Sequence, residues 1–269
     1  MTTPETPAET PETPQAIVER DGAVMWITLS NPAKKNAING AMYKGVADAL
    51  ASADADPAIA VAVIKGAGEV FTSGNDVSDF TARKPGEPSP AFVFLDAIST
   101  FGKPLIAQVD GLAIGVGCTM LLHCDLVYAS DRARLQLPFV NLGLVPEAAS
   151  SLLLPRLAGH AKAAELMMFG EMFPASEGKE VGIVNAVLPA EALAAHVAER
   201  AAALAARPRA AMKLTKALLR DLPADRIKTR MAEEGAIFAK CIAGPEFREA
   251  ATAFREKRAP DFSRIAAEG

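Results

Sequence analysis

The chain has 269 residues, half of them hydrophobic and 22% charged, with a formal net charge of −4. That length can bury a substantial core as one large domain with an appendage, and an acidic balance without a basic, aromatic-studded stripe argues against a nucleic-acid partner. Three cysteines without CxxC spacing and three scattered histidines argue against a disulfide framework and against a bound metal.

No run reaches the ~18 apolar residues of a membrane span, and the N-terminus lacks a charged region leading into an apolar one, so the expected location is cytoplasmic, with no membrane partner. Residues 1–14, MTTPETPAETPETP, are too polar and proline-rich to pack and are expected to form a disordered tail. The fold proper starts near Gln15, with a core expected over 15–205 and a helical region over 206–269. Ile17 to Arg20 and Val24 to Leu29, either side of Asp21-Gly22, predict a β-hairpin that Asn31-Pro32 ends. Asn39 reads as the N-cap of a helix with the apolar stripe Met42, Val46, Ala49 and Leu50, closing near Asp56-Pro57. A strand over 59–65 leads into a glycine turn, Phe71-Thr72-Ser73-Gly74-Asn75-Asp76, and Pro85 to Pro90 reads as a mobile loop.

A helix near 91–101 and a strand over 105–109 precede a second glycine turn, Asp110 to Cys118. A helix over 116–124 and a strand from Leu126 to Ala129 follow. The alternation of strand and helix predicts an α/β core with parallel strands. From Ala148 the chain becomes alanine-rich and helical, with helices near 148–157, 161–170, 176–181, 190–206, 208–220, 224–242 and 246–257, and one strand within 182–188. Leu214, Ala217 and Leu218 form one apolar stripe, and Phe247, Ala250, Ala251 and Phe254 another. Such faces suit a neighbouring subunit, so an oligomer is expected.

The two glycine turns, some forty residues apart, carry the chemical signal. Each follows an apolar run and can present bare backbone N–H groups, and the second opens a helix. Two such donors at a shared point form an oxyanion hole, which stabilises charge growing on a carbonyl oxygen by about 3 kcal/mol per donor. The competing reading is a pair of tight turns that need glycine only for positive φ. Cys118, His123 and Cys124 lie in an apolar run and read as packed side chains rather than nucleophiles or ligands.

At these turns the sequence resembles the crotonase, or enoyl-CoA hydratase/isomerase, superfamily. The likeness runs from about Ile17 to Phe262 and includes Asn31-Pro32-Ala33-Lys34-Lys35-Asn36-Ala37-Ile38, both turns, Cys124-Asp125-Leu126-Val127-Tyr128-Ala129 and Phe254-Arg255-Glu256-Lys257-Arg258. It implies a ββα spiral core with a helical C-terminal trimerisation region, a homotrimer or hexamer, and acyl-CoA substrates. It also implies that the backbone N–H groups of Asn75 and Val116 hold the thioester oxygen. Coenzyme A enters as part of the substrate, with no separate cofactor and no metal, and its contacts are expected at Lys34, Lys35, Ala37 and Lys257. A solvated surface role remains the alternative for the lysines.

The departures from the hydratase pattern are as informative as the match. Hydratases of this family place one catalytic Glu after the Gly-Cys pair, where this chain has Thr119. Their other Glu stands four residues before the Gly-x-x-Pro segment, where this chain has Phe139. Neither residue takes up a proton at neutral pH. A carboxylate does stand at Glu147, in Val145-Pro146-Glu147-Ala148-Ala149, and that placement is similar to the Δ3,Δ2-enoyl-CoA isomerases with their single catalytic Glu. The expected activity is therefore a shift of a C3=C4 double bond to C2=C3 through Glu147. The alternatives are another reaction of the family, hydration or thioester hydrolysis, or a catalytically silent acyl-CoA-binding relative. A plain reading of Glu147 is an acid in the first turn of the helix that Pro146 opens, and Asp76, Asp79 and Glu171 are the other acids within reach of a cleft.

Overall fold

The computed structural model describes residues 13–76, 89–220 and 224–265. Most of the expected N-terminal tail, and residues 85–88 of the expected loop, lie outside them. The hairpin forms as predicted: β1 (Gln15–Asp21) and β2 (Val24–Ser30) pair antiparallel. Parallel neighbours then extend the sheet through β3 (Val61–Gly66) and β4 (Leu105–Val109). After the short β5 (Leu112–Ile114), strand β6 (Leu126–Ser130) joins the same sheet. Two more short strands follow, β7 (Arg134–Gln136) and β8 (Met172–Pro174), before β9 (Ala186–Leu188) completes the large sheet in the order β1-β2-β3-β4-β6-β9. The remaining β5, β7 and β8 make a second sheet. None of these three-residue strands was predicted, because alternation cannot register over three positions.

Strand β3 shows why the large sheet is buried on both faces. Val61 and Val63 point to one side and Ala62 and Ile64 to the other, and all four are fully buried. Such a strand reads as an uninterrupted apolar run. One face is covered by α1 (Gly40–Ala55) and α2 (Pro90–Thr100), whose Met42, Val46, Leu50, Phe94 and Ile98 join the main core. Each side chain buried in this way contributes about 1.5–3 kcal/mol. Asn39 caps α1 as predicted, its side chain accepting from the Met42 N–H at 2.9 Å.

The second glycine turn opens α3 (Val116–Thr119), which is shorter than expected. It tightens into a 3-10 turn over Met120–His123. Helices α4 (Ser150–Ala158), α5 (His160–Phe169) and α6 (Ala175–Glu180) follow. The strand predicted within 182–188 is confined to Ala186–Leu188, because Gly182, at φ 85°, turns the chain after α6. Helix α7 (Ala190–Ala205) covers the other face of the large sheet with Leu193, Val197 and Ala201.

The C-terminal helices are α8 (Arg209–Leu219), α9 (Ala224–Ala243) and α10 (Pro245–Glu256). Helix α8 keeps its leucines out of the chain's own core, as a face suited to a neighbouring subunit would be. Leu214 and Leu218 are 65% and 85% exposed, whereas Lys216 is buried. The Lys216 ammonium donates to the Lys103 carbonyl and to Asp125 Oδ2, at 2.6 and 2.7 Å. On α10, Phe247 and Ala250 are buried and Phe254 is exposed, so the expected stripe divides between the chain's own core and its surface. Among the described residues no helix is long and apolar enough to cross a membrane.

Candidate active site

The two glycine turns lie side by side. Thr72 N–H donates to the Leu112 carbonyl at 2.8 Å and Ile114 N–H to the Thr72 carbonyl at 3.1 Å, a parallel bridge between the turns. Glycine is required where they touch. A Cβ at Gly74, which has φ 94°, would stand 2.8 Å from the Ile114 carbonyl oxygen, and one at Gly117 would stand 2.4 Å from Thr72 Cγ2. Among the described residues no backbone carbonyl pairs with the N–H of Asn75 or of Val116. Val116 is the first residue of α3, a position whose N–H has no partner within its own helix. The Tyr43 hydroxyl donates to Asn75 Oδ1 and fixes that side chain.

The segment from Asn31 to Ile38 wraps the first turn. Asn31 N–H donates to Asn36 Oδ1, and Asn36 Nδ2 reaches the carbonyls of Ala67 and Val70. Ser73 N–H donates to the Lys35 carbonyl at 3.0 Å. Lys34 and Lys35 are exposed, and the Lys34 ammonium holds Asp76 Oδ2 at 2.6 Å. Ala37 is buried, its N–H given to the Lys34 carbonyl and its own carbonyl accepting from Asn31 Nδ2. Lys257 caps α10 at an exposed position. Among the described residues no hydrogen bond or ion pair joins it to this segment. Of the other acids considered, Asp79 lies outside the described residues and Glu171 is exposed.

Glu147 is not a first-turn acid. Helix α4 starts at Ser150, and Ala148 and Ala149 precede it in left-handed backbone, at φ 61° and 54°. The half-buried Glu147 instead meets α3, where the Thr119 hydroxyl donates to its Oε1. Burial of the carboxyl pushes its pKa up to about 7; the nearby negative charge of Glu234 acts in the same direction, against the Thr119 hydrogen bond. Phe139, at the second hydratase position, is buried and apolar. Cys118 is packed as expected, its thiol pushed up to about 12 by burial.

Three participants escaped the sequence reading. Thr119 registered as a missing Glu, not as the donor to Glu147. His123 registered only as a packed side chain, but its Nε2 lies 2.8 Å from the Ala148 carbonyl. Glu234 accepts from Ala149 N–H at 2.6 Å. A signal for Glu234 did exist, since on α9 it falls on the same helical stripe as Ile227, Met231, Phe238 and Cys241, which pack on the core.

A mostly parallel sheet, a smaller second sheet and two abutting glycine turns together define a crotonase-type α/β protein. The chain belongs to the enoyl-CoA hydratase/isomerase family, whose model matches residues 19–264. It is 37% identical over 225 residues to enoyl-CoA delta isomerase 2 of Rattus norvegicus, covering 81% of this chain and 57% of that protein; the chain thus spans little more than half the length of that relative. It is 31% identical over 255 residues to 2,3-dehydroadipyl-CoA hydratase of Escherichia coli, covering 92% of this chain and 98% of that protein. Among solved structures, an enoyl-CoA hydratase/isomerase from Pseudoalteromonas atlantica T6c superposes with a TM-score of 0.88 at 40% identity, covering 92% of this chain and 99% of that one.

Proposed function

We propose that this acyl-CoA enzyme is an isomerase that moves a double bond from C3=C4 to C2=C3 by proton transfer through Glu147. The observation that carries the reading is the desolvated Glu147 carboxyl on Thr119 of α3, with Thr119 and Phe139 where a hydratase has its pair. Hydration needs two groups to activate water and deliver a proton. Isomerisation needs one: the carboxylate takes a proton from C2, charge collects on the thioester oxygen, and the same carboxyl returns a proton to C4. Neither water nor an electron acceptor is consumed. A base whose pKa lies near 7 suits this shuttle, because it accepts and releases its proton with comparable ease.

In this reading the N–H groups of Asn75 and Val116 hold the thioester oxygen. Lys34, Lys35 and the Ala37 backbone, with Lys257 from α10, receive the coenzyme A phosphates and adenine. The exposed Leu214, Leu218 and Phe254 support an oligomer, for which the family resemblance implies threefold symmetry. Sedimentation as a single chain at micromolar concentration would reject that part.

The nearly full-length similarity to an Escherichia coli hydratase favours hydration as the second reading. Incubation with cis- and trans-3-enoyl-CoA and with 2-enoyl-CoA of several chain lengths separates the possibilities by product mass and absorbance. Isomerisation gives 2-enoyl-CoA from the 3-enoyl substrates. A 3-hydroxyacyl-CoA product from 2-enoyl-CoA would install the hydratase reading instead, free coenzyme A would install thioester hydrolysis, and binding without turnover would leave a silent relative.

A further inference from the structure

The backbone just after Glu147 is held in a conformation it would not adopt unaided. Left-handed geometry costs a residue bearing a Cβ roughly 1–2 kcal/mol, and Ala148 and Ala149 both adopt it. The one peptide group between them is gripped at both ends. His123 Nε2–H donates to the Ala148 carbonyl at 2.8 Å, and Ala149 N–H donates to Glu234 Oε2 at 2.6 Å. The other Glu234 oxygen accepts from Ser151, through the backbone N–H at 3.1 Å and the hydroxyl at 2.5 Å.

The protonation states follow from this geometry. Burial pushes the Glu234 pKa up, but the three donors directed at its carboxyl oppose that and match its ionised, acceptor-only form. His123 is buried, which pushes its pKa down to about 4, with Arg220 and Lys216 acting in the same direction. It is therefore neutral at pH 7, with its proton on the nitrogen that faces the carbonyl. Starting a helix needs much less than this. An Asp, Asn or Ser at the N-cap would serve, yet the N-cap of α4 is Ala149 and its side chain makes no hydrogen bond. A carboxylate brought in from α9 does the capping instead.

We propose that Glu234 is a positioning residue for Glu147: with His123 it clamps the Ala148–Ala149 peptide and so sets where the Glu147 carboxyl lies. The proposal rests on Glu147 being the base. Charge adds a second effect. The groups facing the Glu147 carboxyl are the Thr119 hydroxyl and Cys118 thiol of α3, neutral His123 behind the clamped peptide, and Glu234, with Arg230 one turn away from Glu234 on α9 and paired to Glu233. Removing the Glu234 charge eases ionisation of Glu147.

The test compares Glu234→Gln, Glu234→Asp and Glu147→Gln with wild type, using trans-3-hexenoyl-CoA as substrate. The infrared band of the protonated Glu147 carboxyl, assigned by its loss in Glu147→Gln, reports Glu147 independently of turnover. Glu234→Gln turns one acceptor oxygen into a donor facing other donors. Its kcat should fall roughly 10-fold or more with KM changed less than about threefold, and the Glu147 band should titrate at lower pH. Glu234→Asp keeps the charge but is one methylene short, so kcat should fall while the titration stays in place. Wild-type kcat and an unmoved band in Glu234→Gln would overturn the proposal; if that variant does not fold, wild-type kcat in Glu234→Asp overturns it. Should Glu147→Gln retain turnover, the assignment of the base fails, and the band midpoint in Glu234→Gln still decides whether Glu234 governs Glu147.

Discussion

The two halves of the candidate site reach positive φ by opposite means. The glycine-turn half uses glycine, as at Gly74, where no side chain would fit. The carboxylate half uses Ala148 and Ala149 and holds them with His123 and Glu234, 25 and 85 residues away from the atoms they grip. A glycine turn adopts its shape locally and stays rigid only where neighbours confine it. An alanine turn held by distant side chains exists only once the whole fold has formed, and its position then carries information from α9 and from the turn after α3.

The largest effect should come from the carboxylate half. Replacing Glu147 by Gln removes the proposed base and should lower kcat by about 10²–10⁴-fold with acyl-CoA binding retained, read by steady-state kinetics and calorimetric titration. In wild type the base must be ionised in the free enzyme, so kcat/KM should rise with pH to a break near 7, the value to which burial lifts Glu147. A profile with its break near 4 would place the essential carboxyl in water instead.

Breaking the glycine half should act on stability. Gly74→Ala puts a Cβ 2.8 Å from the Ile114 oxygen at φ 94° and should cost about 3 kcal/mol in denaturant unfolding. A loss under about 0.5 kcal/mol would show that the two turns separate easily.

The next effect is a stability gain confined to neutral and alkaline pH. The folded pKa of Glu147 lies above its ordinary value of 4.5, so its contribution is fully present below about 4.5 and is lost as pH rises through about 7. Glu147→Gln, which never ionises, should therefore be more stable than wild type by about 1–3 kcal/mol at pH 8 and equal to it near pH 4.5. A gain at both pH values would point to packing rather than ionisation. The smallest effect sharpens the contrast between the two halves. Ala149→Gly should change stability by less than about 1 kcal/mol, since relief of left-handed strain offsets loss of a buried methyl group.

This contrast also explains what the sequence revealed. The glycine turns, the hairpin and the Asn39 cap were legible because each is a local solution written in a few adjacent residues. Glu147 was legible as a position, but its environment was not. That environment depends on Thr119, on a histidine that looked like ordinary core, and on a glutamate in the middle of α9. The small sheet was missed because its strands are too short to show a period. On α8 the leucine stripe was legible but the buried contact was not, because it is made by Lys216, a residue whose usual place is solvent.

In the proposed mechanism one carboxyl, Glu147, carries a proton between C2 and C4 while the thioester oxygen is held by the two turns. The most direct measurement is turnover of trans-3-enoyl-CoA in deuterium oxide by wild type and Glu147→Gln, with deuterium located by mass spectrometry and NMR. Wild type should give 2-enoyl-CoA bearing solvent deuterium at C4, with exchange at C2 and no 3-hydroxyacyl-CoA, and the variant almost no incorporation. Deuterium incorporation by Glu147→Gln at the wild-type rate, or 3-hydroxyacyl-CoA as the main wild-type product, would contradict that mechanism.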